Sequence, residues 1–213
     1  MADPLPLYEI YDRLPIATVE WDIQRLDEIA ITGAGEESQA ELAEPLWRAP
    51  VTLGIGKHSE LKQAAALIRS LRGSQQPFMM CDPTSLWPQA DRGGVILGAS
   101  AVTIRTAPTS RAIAPLTGLP AGYVLTPGDK MQLAYGSPVR CAFVEVSRLV
   151  AANASGDVNV PVFPWLPMAL PAGATVTLVR AACPVIIEAG SHRPGVARRS
   201  ITEGAAFTAV QKR

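Results

Sequence analysis

The sequence is short of the residues on which most enzyme chemistry depends. Among 213 residues it has two histidines, His58 and His192, and three cysteines, Cys81, Cys141 and Cys183. Neither histidine lies in a nucleophile motif: His58 opens a helical stretch, and His192 sits in the loop sequence GSHRPG. No GxSxG, HExxH, P-loop or GxGxxG pattern occurs. GIGKHS places Gly-x-Gly-Lys ahead of a helix but lacks the first glycine of a phosphate loop, so it reads as a strand-to-helix turn. The cysteines are odd in number and far apart, each in an apolar run, with no CxxC or His-Cys spacing. They read as buried free thiols rather than metal ligands. No catalytic residue, metal or cofactor is expected, and the chain does not read as an enzyme.

Aromatic residues are scarce at 6%, and Trp47, Trp87 and Trp165 fall in different segments. They read as core or interface anchors rather than one sugar-stacking platform. No run of eighteen apolar residues is present, which excludes a transmembrane helix. The opening MADPLPLYEIYDRLP is acidic and broken by proline, unlike a signal peptide. The expected site of synthesis and assembly is therefore a cytoplasm.

Proline and glycine, at 19 and 17, are plentiful, and with short apolar runs they describe a strand-and-turn protein. Net charge is zero but unevenly spread. Residues 1 to 50 hold 11 acidic and three basic side chains, a net −8, and the remainder a net +8. Such a chain can fold back on itself or attract copies head to tail. The basic residues are spread thinly and lack a recognition motif, unlike those of a DNA-binding protein.

Residues 16 to 31 read as one or two strands, and 32 to 44 (TGAGEESQAELAE) as an exposed acidic loop. Glu36-Glu37 and Asp27-Glu28 lack the spacing of a calcium loop and read as a solvated or interface cluster. In LWRAPVTLGIG, Trp47, Ala49, Val51, Leu53 and Ile55 alternate with smaller or polar residues, as in a half-buried strand. Pro50 should lie at an edge or bulge. Residues 58 to 73 form the one convincing helix, capped by Ser59 and ended near Gly73, with Leu61, Ala64, Ala65, Ile68 and Leu71 on one face. QPFMMCD is a strand. From about 92, short β runs (GGVILG, AVTIRT, GYVLT, KMQLAY, VRCAFVEVSRLV, VNVPVFPWLPMAL, ATVTLVR) separated by turns imply a compact barrel or sandwich. In LTPGDKMQLAYGSPVR, Pro127-Gly128-Asp129 sets a turn ahead of one barrel wall. The expected fold is mainly β with one main helix (α+β). Residues 1–90 and 182–213 form a discontinuous domain, with an OB-like or sandwich β-barrel inserted over 91–181.

The run WRAPVTLGIGKHSELKQAAALIRSLRGSQQPFMMCDP resembles tail proteins of long-tailed bacteriophages. So do the turn and strand signatures LTPGDKMQLAYGSPVRCAFVEV and ANASGDVNVPVFPWLPMALPAGATVTL. Within that group the chain is similar to the distal tail protein. The resemblance implies a tail-tube-like β-sandwich domain with one helix and a peripheral β-domain, assembled as a hexameric ring. Such a ring joins the tail tube to the tail tip, between a tube protein above and a hub protein below. Viral DNA passes through it without specific binding, and it inserts in no membrane. The implied location is the virion tail tip. The subunit-contact or lumen candidates are Glu36, Glu37, Glu41 and Glu44, with Arg193, Arg198 and Arg199. A second reading is a minor tail protein whose β-domain binds host-surface polysaccharide, with Trp165 and Tyr135 as the residues to inspect.

Overall fold

The computed structural model describes residues 3–31, 33 and 35–212. The first strands are β1 (Ile16–Val19), β2 (Asp22–Ile31), β3 (Glu37–Leu53) and β4 (Gly56–Lys57), followed by helix α1 (His58–Ser70) and β5 (Phe78–Cys81). Next come β6 (Thr103–Ile104), β7 (Ile113–Thr117), β8 (Val124–Leu125), β9 (Lys130–Tyr135), β10 (Arg140–Val146), β11 (Val150–Ala151), β12 (Val158–Phe163) and β13 (Thr175–Thr177). The last three are β14 (Ala182–Ile187), β15 (Arg193–Ala197) and β16 (Ile201–Gln211).

The organising strand follows from the alternation at Trp47, Ala49, Val51 and Leu53, all buried, with Arg48, Pro50 and Thr52 on the other face. β1 and β2 run end to end along one side of β3, and β16 runs along the other. The far side of β16 carries β14 and β15 in succession, β4 pairs with it beyond the end of β3, and β5 closes the row on β14. The result is an eight-stranded antiparallel sheet. Pro50 does not lie at its edge. It sits opposite the gap between Val19 and Asp22, and its carbonyl accepts the Glu20 N–H at 3.0 Å. A strand residue points its N and its C=O to the same side, so the donor that proline lacks would have faced the gap.

Helix α1 buries Leu61, Ala64, Ala65 and Ile68, as its spacing predicts. Its cap is not Ser59. Strand β4 runs straight into the helix, so the cap position falls on Lys57, whose N–H is accepted by the Glu60 carboxylate at 3.2 Å. The helix ends at Ser70, ahead of Arg72 and Gly73, which both take positive φ.

Six strands, β10-β12-β7-β6-β13-β9, close into a barrel, and β8 pairs with β11 beside it. All six fall between Thr103 and Thr177, while the sheet strands precede and follow them. The alternation of KMQLAY points Met131 and Leu133 into the barrel, against Leu116, Val144 and Val160. Pro127-Gly128-Asp129 leads into β9, and the turn at residues 136–139 folds β10 back on it over Lys130–Tyr135 and Arg140–Glu145, so the stretch supplies two neighbouring walls. GGVILG is not a strand. Asp91 takes the Ile96 and Leu97 N–H groups, each at 2.8 Å, and holds the segment as a turn. The strand β7, IAPLT, goes unread in the sequence because it is short and interrupted by Pro115.

The barrel core lies within residues 97 to 178, and the sheet core draws on residues 10 to 80 and 181 to 209. One side chain crosses over. Phe143 of β10 points out of the barrel into the sheet core, edge-on to Trp21 and Trp47 at 5.6 and 5.5 Å between ring centroids. The Trp47 Nε1–H donates to the Phe143 carbonyl at 3.0 Å. Beside it the buried Lys130 ammonium stands 4.1 Å from the Trp47 ring centroid, paired with Glu145 and 3.9 Å from Asp82.

Candidate assembly surface

Residues 37 to 44 are strand, not loop. They extend β3 outward and pair with β2 as far as Ile31↔Glu37, forming a two-stranded ribbon beyond the sheet. Residues 32 and 34, part of the expected loop, lie outside the described residues. The loop expectation fails because strand signals depend on one buried face. From Gln24 to Ile31 and from Glu37 to Ala43 the ribbon is exposed on both faces, so polar and apolar residues mix without the one-sided period of a half-buried strand. Ile29, Ile31 and Leu42 are nonetheless 62, 68 and 66% exposed. The register sets Ile29 beside Gln39 and Ile31 beside Glu37 on one ribbon face. Arg25 pairs with Asp27 at 2.7 Å, the two irregularities between Gln24 and Asp27 lying at the same place.

The four acidic candidates do not act alike. Glu36 lies beyond the end of β2, and Glu37 and Glu41 are exposed along β3. Glu44, at the ribbon base, pairs with Arg111 of the barrel side at 2.5 Å. That pair braces the ribbon against the barrel, since Arg111 Nε also donates to the Leu166 carbonyl at 2.6 Å.

The basic candidates occupy a second hairpin, β15–β16, closed by Arg198 N–H to Ile201 carbonyl at 2.7 Å. Gly195 and Gly204 face each other across it, and both have positive φ. The buried positions of β16 therefore slip from 205, 207, 209 and 211 to Thr202, where the hydroxyl lies 2.8 Å from His58 Nδ1. Arg198 is engaged with Glu203, whereas Arg193 and Arg199 have no ion-pair partner among the described residues. Arg193 also borders a shallow depression of the outer sheet face, next to the 2.7 Å Arg48–Glu188 pair. The structure thus groups the acidic and the basic candidates separately and does not bring them together within one chain.

All three cysteines are free thiols, Cys81 and Cys183 buried as expected but Cys141 only half-buried, and burial raises the pKa of each, so they stay protonated at neutral pH. Burial, with Arg69 nearby, lowers the pKa of His192, and no nucleophile is bonded to its ring. Among the described residues no group of His, Cys, Asp and Glu is arranged to hold a metal. Of the two aromatics singled out on the barrel, Tyr135 packs against its core, and Trp165 is 39% exposed, edge-on to Phe163 at 5.9 Å. No family model matches this chain, and no curated protein matches it.

Proposed function

We propose that the chain is a structural subunit of a long-tailed bacteriophage tail, of the distal-tail type, acting as a ring between the tail tube and the tail tip. The reading rests on the resemblance of its strand and turn signatures. The observation that carries it furthest is the architecture: an antiparallel sheet crossed by one helix, with a closed barrel formed from the chain between its strands. In a ring of this kind the sheet would contribute one wall of a tail-tube-like sandwich, and the barrel would stand at the periphery. The acidic ribbon would face a neighbour or the lumen, where negative charge lets DNA slide because cationic contacts are what hold phosphate. The partners are then copies of itself, a tube protein above and a hub protein below, and the location is the virion.

Electron microscopy and native mass measurement of the purified chain test this. Six-fold rings with a central hole are expected, and a monomer at every concentration would overturn the reading. The partly exposed Trp165 beside Phe163 favours one further reading, a tail protein that binds surface polysaccharide through the barrel. Binding on a glycan array that is lost in Trp165→Ala is its expected outcome.

A further inference from the structure

The ribbon and the β15–β16 hairpin are complementary in charge, and they lie on opposite sides of the sheet's centre. Arg48 of β3 pairs with Asp22 of β2 on one side and Val210 of β16 on the other. Ala206 of β16 pairs in turn with Thr52 of β3 and Arg193 of β15. β3 and β16 are direct neighbours, so the ribbon and the hairpin of one chain project from opposite ends of that strand pair. We propose that the ribbon of one copy docks on the β15–β16 hairpin of a second copy of this chain, head to tail. The proposal rests on the ring reading only in requiring a neighbour.

Three observations select this occupant. A two-stranded ribbon without a packed face is marginal in water, and this one leaves Ile29, Ile31 and Leu42 uncovered, so it gains by being covered. Between residues 22 and 44 it carries seven acidic side chains and one basic, so two ribbons repel each other and a cationic surface is favoured. The hairpin offers Arg193 and Arg199 without an ion-pair partner among the described residues, with Val196 66% exposed between them in sequence and Ile201 37% exposed just after them, so charge and apolar surface are matched together. Pro194 and the kinked Gly195 disfavour ladder extension on the outer edge of β15, so the contact is made by side chains. The two surfaces differ, so the contact is heterologous and generates a closed ring or an open filament.

The test measures self-association of the full chain by light scattering and native mass spectrometry at low and high salt. Two charge reversals are compared, Glu37→Lys with Glu41→Lys, and Arg193→Glu with Arg199→Glu, singly and combined. Each pair of reversals alone should weaken association at least tenfold, and the combination should restore it, with melting temperatures close to the parent throughout. The parent's association should also weaken as salt rises. Rings that form normally with either reversal, or a combination that stays dissociated, would overturn the docking and leave the ring reading standing. A parent that never associates would overturn both.

Discussion

Buried charge is the feature of this molecule that single residues explain best. Burial alone raises the pKa of the Asp91 carboxyl, but the N–H groups of Ile96, Leu97 and Val95 and the Tyr123 hydroxyl outweigh it, and the net shift is downward. A carboxylate held below its usual range contributes stability above that range and loses it as pH falls through the lowered value. Asp91→Asn should therefore melt well below the parent at pH 7, by roughly 1–3 kcal/mol for donors left unmatched. The gap should narrow in melts taken at pH 2 to 3, and a constant gap would show that ionisation of Asp91 contributes nothing. Lys130 raises the opposite problem. Asp82 is almost fully buried, accepts the Thr84 N–H and hydroxyl, and lies 3.9 Å from the Lys130 ammonium, whose closer partner is Glu145, so Lys130→Ala takes the counter-charge from both carboxylates. A loss of roughly 3–5 kcal/mol is expected in chemical denaturation. Lys130→Met with Asp82→Asn should recover much of it, because the buried charge goes too and the Glu145 carboxylate, 30% exposed, can be hydrated.

Among the elements, α1 shows how sequence periodicity becomes energy. Ile68 is buried where the helix packs on the sheet, and Ile68→Ala should cost about 2–5 kcal/mol, read from the denaturation midpoint. The helix and the buried half of β3 were legible in the sequence because each shows one apolar face at a single period. The outer half of β3 was not, since a ribbon wet on both faces has no such period. GGVILG had the composition of a strand, but the carboxylate of Asp91 claimed its amide groups, and that competition depends on local geometry rather than hydropathy. Ser59 lost its capping role to Glu60 because the preceding strand left no room for a turn. The separate grouping of Glu37 and Glu41 from Arg193 and Arg199 was partly legible, as a charge split. That Arg198 and Glu44 are already engaged within the chain was not, because their partners are set by tertiary contacts.

At the scale of the whole molecule, the barrel and the sheet share Phe143. Its ring belongs to a barrel strand but to the core of the sheet, so neither unit can be exposed without uncovering part of the other. The full chain should melt in a single calorimetric transition, and Phe143→Ala should lower it by about 3–5 kcal/mol. Two separated transitions in the parent would show that the crossing ring couples nothing. The position of β16 has a consequence in time. It is the centre of the sheet, flanked by β3 and β4 on one side and by β14 and β15 on the other, yet it follows every other element along the chain. During synthesis the barrel strands are all available long before it, whereas β3 must wait with one side unpaired until the ribosome has passed residue 211. A nascent chain halted before β16 therefore lacks the strand that pairs with β3, β4, β14 and β15, and the base of the ribbon stays without its neighbour in the sheet.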